Sequence, residues 1–252
     1  MLRKMSVTGI NGIPEIVEGD DIATIIHESA KTQGTPLEAN DVVVITQKIV
    51  SKAEGAIVDL REIEPSPIAQ EFALKYNKDA RQVELVLRES VRIVKMDRGV
   101  LIVETKHGLI CANAGIDASN IPGDHFVSLL PVDPDKSASK LRENLMAISG
   151  STVAVIISDT FGRPWRMGNI DVAIGVAGIP ALKDYRGQFD AHGYHLSASV
   201  SATADQIASA AELMSGKLDA VPVVLVRGLI YSPDDEANAS ALLRDPSSDL
   251  FR

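Results

Sequence analysis

The 252-residue chain has one cysteine, Cys111, so it cannot close a disulfide on itself, which fits a reducing compartment. Aromatic residues make up only 4% of it, with a single tryptophan, so packing must rest on Val, Ile, Leu and Ala. No apolar run approaches the ~20 residues of a membrane span. The first seven residues, Met1 to Val7, lack the apolar centre of a signal peptide. The expectation is a cytoplasmic protein with no membrane partner. Cations are also short, because 25 Lys and Arg against 34 Asp and Glu leave a net charge of −9. That balance argues against nucleic-acid binding, which needs clustered Lys and Arg. A P-loop is missing as well: Ser215-Gly216-Lys217-Leu218 has neither the upstream glycine nor the hydroxyl residue after lysine. No dinucleotide fingerprint is intact. Any nucleotide must be held another way, and an anionic substrate needs local cations or metal to offset the background charge.

What is present is an ordinary globular balance, 45% hydrophobic and 23% charged, with length enough for one large domain or two modest ones. Helices and strands alternate without an internal repeat. Asp20 or Asp21 can cap a helix whose apolar face carries Ile22, Ile25, Ile26 and Ala30 and which stops before Gly34. Residues 42–45 form a continuous apolar strand leading into the segment 46–55. Ser66-Pro67 is an N-cap and first-turn pair for a second helix. Asp79 with Gln82 resembles a capping box for a third, bearing Val83, Val86 and Leu87. Short apolar runs between Val91 and Asn113, divided at Asp97-Arg98-Gly99 and His107-Gly108, predict an antiparallel meander. A helix over about 135–149 should bury Ala138, Leu141, Leu145 and Ile148 and stop at Gly150. Strands follow over 152–158 and 170–177. A helix from Thr203 carries Ile207, Ala210, Ala211 and Met214, and the last strand spans 221–228 with Pro222 at its start or edge. The class is α+β, with mixed and antiparallel sheets and flanking helices rather than a regular βαβ wind. The tail from Ser232 ends in Leu250-Phe251-Arg252, too apolar for a free end; it either docks or marks the edge of a longer polypeptide.

Residues 152–168 say most about function. Their apolar run ends at Asp159-Thr160, followed by Gly162, Arg163, Pro164, Trp165 and Arg166. A carboxylate and a hydroxyl at a strand end are oxygen ligands for a hard cation; the alternative is a cap on whatever follows. The arginines beyond them suit phosphate or carboxylate. In residues 113–120, Asp117 is either a second metal carboxylate, with Asn120 bonding a ligand, or part of a turn that satisfies its own backbone. Two carboxylates ~4 Å apart repel by about 4 kcal/mol at an effective dielectric of ~20, so a shared site for Asp117 and Asp159 requires metal. Thr203 with Gln206 reads as a capping box with Asp205 at the positive helix end, or as a terminus facing phosphate; the cap is the expectation. Lys48 and Lys52, just after a strand, read by themselves as solvated surface. His192 and His195 have chelating spacing but no third ligand in view.

Together these motifs resemble the coenzyme F420-0:gamma-glutamyl ligase family. The likeness covers nearly the whole chain. It runs through Gly9-Ile10-Asn11-Gly12-Ile13-Pro14, Glu18-Gly19-Asp20-Asp21, Val50-Ser51-Lys52-Ala53-Glu54-Gly55 and residues 113–120. It continues with residues 130–135 and 157–166, the spaced set Asp184, Gly187, Asp190, Gly193 and Leu196, then Ala204-Asp205-Gln206-Ile207 and Val226-Arg227-Gly228. The resemblance implies GTP-dependent addition of L-glutamate to coenzyme F420-0 through a γ-linked amide. It also implies two divalent ions per site (Mg²⁺ or Mn²⁺), a K⁺ requirement, and an intertwined homodimer of two-lobed subunits. The 252 residues would then be one ligase unit with lobe boundaries near 90 and 200, fused in some members to a C-terminal flavin-binding domain. It puts Asp117, Asp159, Thr160 and Gln206 where the family binds metal, Asp117 and Asp159 being the catalytic pair. Asn11, Gly12, Ile13, Pro14, Gln47, Lys48, Lys52, Asn120, Ala204, Asp205 and Gln206 fall where it binds GTP. Gln47-Lys48 departs from the small hydroxyl residues common in that segment. Arg163 or Arg166 would orient the anionic acceptor. Two other classes stay open: another metal-dependent GTP phosphotransferase or phosphohydrolase, and a non-catalytic GTP- or metal-binding dimer module.

Overall fold

The computed structural model describes residues 4–121 and 123–250. Strand β1 (Ser6–Gly9) precedes helix α1 (Ile22–Thr32), β2 (Val42–Thr46) and α2 (Gln47–Ala53). An inserted unit follows, with β3 (Ile57–Asp59), α3 (Pro67–Tyr76), α4 (Ala80–Arg88), β4 (Ser90–Asp97), β5 (Val100–Thr105), β6 (Ile110–Ala112) and β7 (Phe126–Ser128). The chain returns through α5 (Pro134–Ser149), β8 (Ala154–Gly162) and β9 (Asn169–Ala177). The short β10 (Lys183–Asp184) and β11 (Val200–Ser201), then α6 (Thr203–Ser215) and β12 (Val223–Arg227), complete it.

The main sheet has the order β1-β12-β2-β8-β9, and only its β2–β8 pair is parallel. Strands β2, β8 and β12 are covered on both faces, which is why they read as unbroken Val and Ile runs. Alternation along the strands sends Val43, Ile45, Val155 and Ile157 to one face, against Ile26 of α1, Ile49 of α2 and Leu145 of α5. Val42, Val44, Ala154 and Ile156 go to the other face, against Ile207, Ala208 and Ala211 of α6. The inserted unit has its own core, built from Phe72, Val83, Val86, Leu101, Val103 and Val127. The fold is α+β, with mixed and antiparallel sheets. Among the described residues no helix is long and apolar enough to cross a membrane.

Local signals act where they were expected. Asp21 caps α1 by accepting from the Thr24 amide at 3.2 Å, while Asp20 takes the Val17 amide at 2.8 Å. Ser66 and Pro67 open α3, Asp79 caps α4 through the Arg81 amide, and Gly150 ends α5 in a left-handed conformation. β4, β5 and β6 form the antiparallel meander. Gly175 is required by a close approach, since a Cβ there would lie 2.3 Å from the Pro134 carbonyl at the start of α5.

Several expectations are corrected. β8 does not stop at Asp159-Thr160; it stays paired with β9 as far as Gly162 opposite Asn169. The apolar pattern ends there because burial ends, not because the strand does. Ile148 and Met214 are 42% and 45% exposed, since α5 and α6 each bury only one stripe. Thr203 does not cap α6. Ala202 holds that position without a side-chain bond, the Thr203 hydroxyl is buried without a partner, and Asp205 instead accepts from the Ala173 amide at 2.9 Å. Tertiary bonding to β9 overrides the local box. In the tail, Leu250 is exposed, and Phe251 and Arg252 lie outside the described residues, as do Met1 to Arg3 at the other end.

The end of β12 is clamped to the start of β2. Arg227 Nε and Nη2 donate to the two oxygens of Asp41 at 2.8 Å each, and Asp41 has no exposed side-chain surface. Removing the guanidinium strands a buried charge, which costs about 3–5 kcal/mol. Arg227→Met is therefore expected to lower the urea-unfolding free energy by about that much. Arg98→Ala, whose pair with Asp97 is 3.7 Å apart on the surface, should change it by less than about 1 kcal/mol. Equal small effects of both would show that the clamp carries no stability.

Candidate active site

Because β2 and β8 run parallel, their carboxyl ends lie side by side, the usual place for a ligand crevice in such pairs. β2 ends at Thr46, opposite Ser158, and α2 begins at the next residue. β8 runs on, so Asp159 is its first residue with no β2 neighbour. The inserted unit brings Asp117 to the same end, fixed by reciprocal backbone bonds between Asp117 and Ser128 (3.2 and 2.8 Å).

The two carboxylates are unequally compensated. Asp117 Oδ2 accepts from Lys48 Nζ at 2.7 Å and Oδ1 from the Ser119 amide at 2.7 Å. Burial works against ionisation of Asp117, but Lys48 and Ser119 outweigh it and hold the carboxyl below its ordinary range. Asp159 has no such partner: among the described residues no side chain hydrogen-bonds to it. Burial pushes its carboxyl up to about 7, and the charges of Asp171 and Asp117 add to that. The Thr160 main-chain N–H and the Lys48 charge oppose. An under-compensated, half-buried carboxylate within the field of a second one suits a hard divalent ion. Among the described residues no three His, Cys, Asp or Glu converge as a ready-made centre. The donor set is thus two carboxylates to be completed by substrate oxygens and water, the usual arrangement for Mg²⁺.

Cations line the same end. Lys52 is only 7% exposed, and its Nζ donates to Glu15 Oε1 at 2.5 Å and to the Asn120 carbonyl at 2.8 Å. The loop of residues 11–15, α2 and the 117–120 turn are thereby drawn together. In that loop the Asn11 amide and Nδ2 donate to Gln33 Oε1 at 2.8 and 2.9 Å. Gly12 has a φ of +79° with open space where a Cβ would stand, Ile13 packs on the core, and Pro14 is exposed. Gln47 is buried and accepts from the Ser51 hydroxyl at 2.8 Å. Lys48 and Lys52 are thus not solvated surface.

Other residues singled out by sequence go elsewhere. The Thr160 side chain lies on the opposite face of β8, donating to Asp171 Oδ1 at 2.6 Å and accepting from Lys217 Nζ at 2.6 Å. Ala204 and Asp205 lie on α6 across the sheet, and Gln206 is exposed on its first turn; one subunit does not bring them to Lys52 or Asp159. Arg163 braces the β8–β9 turn through the carbonyls of Met167 (2.5 Å) and Gly168 (3.3 Å). Arg166 and Trp165 are exposed there, Trp165 at 83%. His192 and His195 are exposed, with His195 edge-on to Phe189. Sequence reasoning missed Glu15, Lys217 and Asp171. For Asp171 a signal existed, a lone carboxylate inside the apolar strand over 170–177.

Comparison with known proteins gives the family. The family model described as F420-0:gamma-glutamyl ligase matches residues 11–228. The chain is 47% identical over 238 residues to the coenzyme F420:L-glutamate ligase of Methanopyrus kandleri, covering 93% of this chain and 92% of that protein. It is 42% identical to the enzyme of the same name from Methanothermobacter thermautotrophicus, over 98% of this chain and 99% of that one. For the Methanocaldococcus jannaschii enzyme of that name the identity is 39%, over 99% and 98%. With most of its length matched on both counts, the chain belongs to the F420-0:gamma-glutamyl ligase family.

Proposed function

We propose that the protein is a GTP-dependent ligase that joins L-glutamate to coenzyme F420-0 through a γ-glutamyl amide. One observation carries the reading: at the carboxyl end of the parallel β2–β8 pair Asp159 feels the charges of Asp117 and Lys48, Lys48 bonds Asp117, and Lys52 bonds the Asn120 carbonyl of the same turn. The names of the relatives supply the acceptor and the amino acid.

A carboxylate is a poor electrophile, because an amine would have to displace oxide. Transfer of the γ-phosphoryl group to the acceptor carboxylate gives GDP and an acyl phosphate. The glutamate amine then attacks the acyl carbon, phosphate leaves, and the nitrogen gives up its proton. Phosphoryl transfer needs positioning and charge neutralisation more than covalent help, which fits a site of carboxylates and lysines. A divalent ion, Mg²⁺ or Mn²⁺, would be held by Asp117 and Asp159 and would supply charge neutralisation for the transfer. Lys52 binds phosphate by exchanging its bond to the exposed Glu15 carboxylate (63% exposed) for one to the nucleotide. Residues 11–14 and Asn120 flank that position. Of Arg163 and Arg166, on the turn beyond Asp159, the exposed Arg166 is the one placed to orient the acceptor, since Arg163 is bonded to the turn carbonyls. A K⁺ requirement and a homodimer belong to the same proposal. Val91, Ile93, Val94 and Met96 give β4 an exposed apolar stretch that a second copy would cover.

With GTP, Mn²⁺, glutamate and coenzyme F420-0, mass spectrometry should detect added glutamyl units. Asp159→Asn should lower their formation by roughly 10³-fold or more, the scale for losing a group that stabilises transition-state charge, with the circular dichroism spectrum unchanged. Near-normal turnover in that variant sinks the assignment. GTP hydrolysis indifferent to acceptor and glutamate would instead mark a phosphohydrolase.

The raised carboxyl of Asp159 sets a pH dependence. Its ordinary unfolded value is about 3.9, so the native state binds the proton more tightly. The stability this contributes is full below the unfolded value and is lost as pH rises through about 7. Between about pH 5 and about pH 8, the metal-free wild type should lose more of its urea midpoint than Asp159→Asn. Mg²⁺ should restore the wild type at the upper end. Parallel pH profiles for the two proteins would rule the buried charge out as the cause.

A further inference from the structure

The opposite face of β8 carries a second polar cluster that the proposed reaction does not use. Asp171 of β9 lies across from Thr160 and is only 4% exposed. Its Oδ2 accepts from the Ser158 hydroxyl at 3.1 Å and its Oδ1 from the Thr160 hydroxyl at 2.6 Å. Lys217, just beyond α6, places its Nζ 2.6 Å from Thr160 Oγ1, 3.1 Å from Glu212 Oε1 and 3.5 Å from Asp171 Oδ1. The remaining Glu212 oxygen accepts from the Asp171 amide at 2.9 Å. An ammonium has three N–H groups, and three oxygens face it here.

We infer that Lys217 is a built-in cation: its ammonium fills the position that a second divalent ion would take at Thr160. One subunit then holds a single exchangeable divalent ion, on the Asp159 face. The inference rests on the proposed metal role of Asp117 and Asp159. It draws on the contrast between the two faces. On the Asp159 face Lys48 and Ser119 already bond Asp117, but the half-buried Asp159 carboxylate lacks any side-chain donor. On the Thr160 face every carboxylate oxygen already accepts a bond, and the Thr160 hydroxyl both gives its proton to Asp171 and accepts from Lys217. Mg²⁺ needs oxygens at ~2.0–2.1 Å in near-octahedral array, so it cannot share Thr160 and Asp171 with an ammonium lodged among them. Gln206 does not compete within the subunit: it is six residues before Glu212, about 9 Å along the helix axis, and exposed.

Manganese alone, titrated into the full chain and followed by electron paramagnetic resonance, reads the number of ions per subunit. Wild type should bind one, Lys217→Gln two, Asp159→Asn none, and the double variant one. Lys217→Arg, which keeps the charge, should stay at one. A count that Lys217→Gln leaves unchanged overturns the inference, whatever Asp159→Asn does. If Asp159→Asn loses no ion while Lys217→Gln still gains one, the metal role of Asp159 fails and the filled position stands. Circular dichroism checks folding, and Lys217→Ala serves as the second variant, since this side chain is 56% exposed and its truncation opens no core.

Discussion

Adjacent residues of an extended strand point to opposite faces, and at Asp159-Thr160 this divides the chemistry of the molecule in two. Asp159 turns toward α2 and the inserted unit, where Asp117 and Lys48 wait; Thr160 turns toward α6, where Asp171 and Lys217 sit. The register of β9 decides what each meets. Between Ile157 and Ser158 the pairing slips by one residue, so that Ser158 stands opposite Ala173 and Thr160 opposite Asp171. Without that bulge Val172 would face Thr160, and Asp171 would join the Asp159 side as a third crowded carboxylate. A single extra residue thus keeps two acidic clusters apart.

A parallel pair needs a long crossover, and here the crossover does more than return the chain. Between α2 and α5 it folds into a unit with its own core, whose far end carries Asp117 back over the carboxyl edge of the sheet. The join is tight where it must be. The first turn of α5 presses on Gly175, while Asp135 accepts from the amides of Val176 and Ala239 at 2.8 Å each. These contacts tie α5 to β9, the strand paired with β8.

What could be read from the sequence follows the range of each interaction. Asp21, Ser66-Pro67, Asp79 and Gly150 act within a few residues, and each was legible. So were the core faces, because burial imposes its period on the sequence. Asp159 announced itself as the carboxylate after an apolar run. The environment of Lys48 was not legible, since Asp117 is 69 residues away; nor was the tie of Lys217 to Asp171, across 46 residues. Thr203 misled for the same reason: its box is sound locally, but a bond from Ala173 to Asp205 set the helix start. Family likeness ordered the site residues along the chain without saying which of them one subunit brings together.

The charge balance raises the last question, how a −9 chain accommodates anionic substrates. Screening limits the background, because at physiological ionic strength charges more than ~8 Å apart scarcely feel each other across water. What counts is the arrangement within a few ångströms. There each lysine is already held by a carboxylate or hydroxyl: Lys52 by Glu15, Lys48 by Asp117 and Ser119, Lys217 by Thr160 and Glu212. On the proposed reading, a phosphate that displaces the mostly exposed Glu15 replaces one ion pair at Lys52 by another. The desolvation of Lys52 is then met during folding rather than during binding. On that reading the acidic residues of this site do not simply oppose an anion; they hold the cations in position for it.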